Sequence, residues 1–145
     1  MKIIQILLLS LFISCGGQTK KNEKLTAALN DTKLELRGKV IDFTPEYRYD
    51  YYDFNEKDSD YKYFESKGFQ GGGPTWAAIV YGAIQLSDPK ILDQIRFDEE
   101  ADGLAIWSED KNVLVKIGRL VAAVKKDKKL LEESIAVATK DGRME

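Results

Sequence analysis

Residues 68–77 read G-F-Q-G-G-G-P-T-W-A, four glycines in six positions ahead of a proline and an apolar run. Few structures accept such a stretch. Glycine supplies backbone angles closed to other residues, and proline suits the first turn of a helix. A phosphate-binding loop would follow its last glycine with lysine and a hydroxyl residue, one for the β/γ-phosphates and one for magnesium. Here Pro74, Thr75 and Trp76 follow instead, and the indole fills the space a phosphate would need. A dinucleotide fingerprint needs a βαβ unit with an acidic residue about twenty positions on. Asp93 stands near that distance from Gly73, yet no parallel-strand pattern surrounds it. The expectation is therefore structural. Gly71, Gly72 and Gly73 take special backbone angles, Pro74 opens a helix, and Trp76 buries its ring under a sheet.

The pattern on either side predicts an α+β domain. Residues 32–44 alternate at Leu34 and Leu36, then resume at Val40, Ile41 and Phe43, which suggests a bulged strand broken at Thr44-Pro45. Residues 46–67 hold six of the seven tyrosines. Tyr47, Tyr49 and Tyr51 are spaced by two, as are Tyr61 and Tyr63, so both groups are expected in strands joined by the acidic N-E-K-D-S-D loop. Beyond the glycines, Trp76, Ile79, Val80 and Ala83 follow the i, i+3, i+4, i+7 spacing of a helix face. Gly82 weakens that helix by about 1 kcal/mol relative to alanine. Ser87-Asp88-Pro89 caps a short helix through Ile95, and residues 96–108 read as a hairpin around E-E-A-D-G. Glu109-Asp110 and Asp127 open two further helices. The expected fold is an antiparallel sheet of N-terminal strands plus a later hairpin, packed by three or four helices mostly in the C-terminal half.

The N-terminus points to a compartment. Lys2 supplies a positive start and residues 3–13 are nearly all apolar, a run shorter than the about 20 residues that span a bilayer. The segment closes L-F-I-S-C-G-G, which resembles the lipobox of bacterial lipoproteins, with Phe12 in place of the usual leucine. Three parts are expected: residues 1–14 a signal peptide; residues 15–31 a lipidated Cys15 and flexible tether, with helical tendency at 24–29; residues 32–145 one α+β domain. Cys15 is the only cysteine, so acylation leaves none for an internal disulfide. The protein would be held by lipid on the bacterial envelope, facing away from the cytoplasm. Net charge is −2, or −3 once Lys2 leaves with the signal peptide, which is no footprint for nucleic acid.

Together the glycine turn, Trp76 with its apolar helix, the F-D-E-E-A-D-G-L-A-I-W-S hairpin and the capped helix after it resemble the immunity protein 51 family of bacterial polymorphic toxin systems. The likeness spans about residues 63–138. It rests on Gly68, Phe69, Gly71, Gly73 and Trp76, then Phe97, Asp98, Glu100, Ala101 and Ser108. Family members commonly open the helix with N-G-Y-D-W; this chain has G-G-P-T-W, so no role for that aspartate carries over. The resemblance implies a non-enzymatic protein that binds and neutralises a cognate toxin.

Residue chemistry points the same way. The chain has no histidine, the commonest general base and metal ligand, and lipid consumes its one thiol. A pair of carboxylates can hydrolyse glycosides without histidine, but Asp50, Asp53, Glu56, Asp58 and Asp60 lie in a charge-rich segment of the kind normally solvated. A calcium loop starting at Asp53 fails at Lys57 and Asp58. No catalytic residue, metal or small-molecule cofactor is expected. The candidates for partner contact are Tyr47, Tyr49, Tyr51, Tyr52, Tyr61 and Tyr63, each either a rigid anchor or a core ring, with Phe43 and Phe54 assigned to the core. Asp98, Glu99, Glu100 and Asp102 on the hairpin turn either steer a basic partner or merely keep the turn soluble. Two functions stand: a membrane-tethered immunity protein that blocks its toxin sterically, and an accessory lipoprotein that binds a peptide or envelope component.

Overall fold

A computed structural model of the protein describes residues 19–144. Cys15 and the expected signal peptide lie outside the described residues. Five α-helices and four strands follow one another as α1 (Glu23–Asn30), β1 (Lys39–Phe43), β2 (Glu46–Tyr51), α2 (Tyr61–Ser66), α3 (Gly73–Ser87), β3 (Arg96–Glu99), β4 (Leu104–Ser108), α4 (Lys111–Lys126) and α5 (Lys128–Lys140). The strands make one antiparallel sheet in the order β1-β2-β4-β3. The predicted fold class holds: early strands, a later hairpin, and helices concentrated towards the C-terminus.

Local chemistry sets the element ends. A cis Thr44–Pro45 bond forms the β1–β2 turn, where the Asp42 carboxylate accepts from the Thr44 amide at 2.8 Å. Asp110 and Asp127 cap α4 and α5, accepting from the amides of Asn112 and Lys129. Asp88 likewise caps residues 89–94, which wind as a 3-10 helix.

Helix α3 is buried along most of its circumference, with only the stripe of Pro74, Tyr81 and Gln85 half-buried. It packs under β3 and β4, while α4 packs under β1, β2 and β4. Behind this pair lie α1 and α5, so the core runs between a sheet, a helix layer and an outer pair of helices. Gly82 sits where α3 meets α5. A Cβ there would collide with the Ser134 carbonyl, so this glycine permits the close approach and is not simply a weak point in the helix.

Three expectations are corrected. Residues 61–66 form a helix and not a strand: two tyrosines two apart do not establish a period, and Phe64 rather than either tyrosine is the fully buried ring. Leu34 and Leu36 precede the first strand instead of belonging to it, and Leu36 packs against Gly118 of α4. The expected tether contains α1, whose Leu25 and Leu29 are buried in the core. That helix is tied in by its Asn22 cap, which accepts from the Leu25 amide and whose own amide donates to the Leu86 carbonyl at 2.7 Å.

The glycine cluster works differently at each position. Only Gly71, at φ +82°, uses the left-handed region within 71–73. Gly72 and Gly73 are required by proximity. A Cβ on Gly72 would strike the Ala101 carbonyl, and one on Gly73 the carbonyls of Glu100 and Gly103. The loop is thus a seat for the β3–β4 turn. Trp76 lies just beyond it, buried beneath the sheet with its ring edge-on to Tyr51 and Phe64 at 4.9 and 5.6 Å.

Candidate partner-binding surface

Strand alternation sorts the residues of β2 onto two faces. Tyr47, Tyr49 and Tyr51 point to the helices, opposite Ser108, Ile106 and Leu104 of β4. Glu46, Arg48 and Asp50 point the other way, where the register adds Ile41 and Phe43 from β1, Trp107 from β4, and Arg96 and Asp98 from β3. The described helices pack on the tyrosine side, leaving this second face open.

The open face is aromatic and cationic. Phe43 and Trp107 meet with ring centroids 5.3 Å apart. The Arg48 guanidinium lies 5.0 Å from the Phe43 ring and 5.5 Å from Trp107, and Arg96 lies 5.4 Å from Trp107 on the other side. Carboxylates hold these groups in place. Arg48 pairs with Asp50 at 2.7 Å, Trp107 Nε1 donates to Asp98 at 3.0 Å, and Arg96 reaches Glu46 at 3.5 Å. Pre-positioned arginine and tryptophan side chains lose little freedom when a partner covers them, which is why such residues dominate binding energy.

Tyr52 carries the face towards the β3–β4 turn. Its ring lies against Gly103, where any Cβ would overlap it. Its hydroxyl is pushed above the usual tyrosine range by partial burial and then by the nearby Asp50 and Glu100 carboxylates. Past the turn lies a groove of about 400 Å³, lined by Phe54, Tyr61, Gly71, Gly72, Ala101 and Asp102. Phe54 and Tyr61 are 48% and 42% exposed.

A buried ion cluster fixes the loop that carries Phe54. Lys125 of α4 reaches Asp53 at 2.8 Å and Asp60 at 2.7 Å, with 1% of its side chain exposed. Asp53 also accepts from the Tyr51 hydroxyl and the Asp60 amide. Burial alone would lower the Lys125 pKa, but the hydrogen bonds to Asp53 and Asp60 outweigh it and raise the value.

The candidates named from sequence divide accordingly. Tyr49 and Tyr51 are buried, with hydroxyls donating to the Arg37 carbonyl and to Asp53, so they are core rings and not partner anchors. Tyr47 is half-buried against the core. Tyr63 is half-buried beside α5, with the Lys128 ammonium 3.9 Å from its ring. Tyr52 and Tyr61 remain at the surface described above. Asp98 is engaged by Trp107, while Glu99, Glu100 and Asp102 are exposed on the turn. Phe43 and Phe54, assigned to the core, are exposed instead. Of the motif residues, Gly68 turns the chain after α2 at φ +84°, and Phe69 and Phe97 pack against the core.

Sequence reasoning passed over Phe43, Arg48, Arg96 and Trp107. The period-two alternation that placed the tyrosines on one face placed Arg48 on the other, and strand pairing brings Phe43, Arg96 and Trp107 beside it. The signal was present but was read only for its apolar half. A family model described as immunity protein 51 matches residues 48–140. No curated protein and no solved structure matches the chain.

Proposed function

The chain belongs to the immunity protein 51 family, and from that premise we propose that it is a membrane-tethered immunity protein that binds a cognate toxin and neutralises it by steric blocking. The observation that carries the reading is the open sheet face, where Arg48 and Arg96 stack on Trp107 with no described helix covering them. On this reading Trp107 and Arg48 are the anchors, and the acidic turn at residues 98–102 speeds encounter with a basic toxin. Inhibition needs no chemistry from this chain, only a surface placed over the toxin's own site. Tethering rests on Cys15: acyl chains on that sulfur would hold the domain at the envelope, facing away from the cytoplasm, where an incoming toxin is met.

The test is co-purification of the mature chain with the product of the adjacent upstream gene, together with protection of cells in which that product is toxic. A one-to-one complex that Trp107→Ala weakens by about tenfold or more supports the reading. Absence of any complex contradicts it. Tethering is tested separately by Cys15→Ala, which should move the protein from the membrane to the soluble fraction.

A further inference from the structure

The open sheet face is small for a specific contact. Four strands of about five residues cover roughly 300 Å², whereas a stable interface takes about 800 Å² from each partner. A partner seated on Trp107 must therefore extend past the sheet. Tyr52 and the β3–β4 turn connect that face to the groove at Phe54 and Tyr61.

The groove has a definite chemistry. The Tyr61 ring lies against Gly71, where an added Cβ would come within 2.7 Å of its Cδ2, so one aromatic wall is set against bare backbone. Phe54 stands beside it, on the loop pinned by Lys125. Ala101 and Asp102 also line it. Among the described residues, neither Asp102 nor its neighbours Glu99 and Glu100 form an ion pair, while Asp50, Asp53, Asp58 and Asp60 all do. Exposed rings facing unneutralised carboxylates attract a cation that can use both. A guanidinium does so better than an ammonium: it is planar, sheds water more readily, stacks on a ring and forks onto a carboxylate. The open face repeats this arrangement within the chain, with Arg48 stacked on Phe43 and paired to Asp50.

We infer that the groove receives an arginine side chain of the partner, with its guanidinium against Tyr61 and Phe54 and paired to Asp102. This deepens the reading of the chain as a partner-binding immunity protein and rests on it for the identity of the arginine's owner. The partner is thus a protein whose contact surface carries an exposed arginine beside the segment that covers Trp107.

The groove is tested without the partner first. The mature chain carrying Cys15→Ala, so that it stays unacylated, is titrated with acetyl-arginine methylamide while its amide resonances are followed by NMR. Saturable shifts are expected at Gly71, Gly72 and Asp102, weaker with the lysine analogue and lost in Asp102→Asn and Tyr61→Leu, both changes at exposed side chains. No saturable shift at those amides, or equal shifts with both analogues, overturns the proposal. In the complex, Asp102→Asn should weaken the wild-type affinity about tenfold. A complex sensitive to Trp107→Ala but indifferent to Asp102→Asn sinks the groove and leaves the immunity reading standing. Failure of every toxin partner to bind, with the arginine titration still positive, sinks the immunity reading instead.

Discussion

Lys125 and Asp53 are both withdrawn from solvent, and each depends on the other. Removing one charge of such a pair costs about 3–5 kcal/mol, because its partner is left buried and uncompensated. Lys125→Met should accordingly lower Tm by about ten degrees or more, since 1 kcal/mol shifts a domain of this size by roughly 4 °C; a loss of only a degree or two in calorimetry would show the cluster to be solvated. The buried tyrosines give a pH dependence at the same scale. Burial raises Tyr49 and Tyr51 well above the ordinary value. Above about pH 10 the unfolded chain releases protons that the folded chain keeps, so stability is complete below that pH and falls as pH rises. Lys125, also raised, acts with the same sign: its contribution is complete below its unfolded pKa and lost as pH climbs through the folded one. Ultraviolet titration at high pH should show Tyr49 and Tyr51 ionising only as the protein unfolds. Ionisation of Tyr49 and Tyr51 ahead of unfolding would contradict their burial.

At the scale of elements, the glycine loop and the β3–β4 turn form one unit. Gly72→Ala drives a methyl into the Ala101 carbonyl and should cost about 1–3 kcal/mol, as overpacking does. An unchanged denaturation midpoint would mean that the turn moves aside freely. Helix α1 is the second case. Leu25 and Leu29 fill the core between α3 and α4, and truncating a buried leucine to alanine costs about 2–5 kcal/mol. A chain begun at Thr32 loses both side chains and should unfold at much lower denaturant concentration than one begun at Thr19; equal midpoints would make α1 an ornament. Strong local signals were legible in the sequence: the alternation of β2, the aspartate caps of α4 and α5, and the proline after the glycines. The helical tendency of residues 24–29 was legible but the docking of α1 was not, because two leucines and two alanines in eight residues make too little apolar surface to specify a docked helix without sight of the surface that receives it. Helix α2 was misread because its two tyrosines mimic a strand period that the buried Phe64 does not share. The binding face was legible only in part. Burial can be argued from ring and period, but which face of a sheet stays open is decided by where distant helices pack.

For the molecule as a whole, the layered packing puts every described helix-packing surface on one side of the sheet and leaves the other to a partner. Two arginines and one tryptophan on that face are held by carboxylates from two strands, Glu46 and Asp50 of β2 and Asp98 of β3, and Phe43 lies under Arg48. The arrangement exists only once β2, β3 and β4 are paired, so binding should report on the folded sheet and not on any linear segment. The most direct measurement is the affinity of the mature chain for the product of the adjacent upstream gene, by calorimetric titration of wild type and Trp107→Ala. The account predicts a one-to-one complex, weakened about tenfold or more in the variant at a temperature where both chains are folded. Equal affinity of the two chains, or no binding by either, would contradict it.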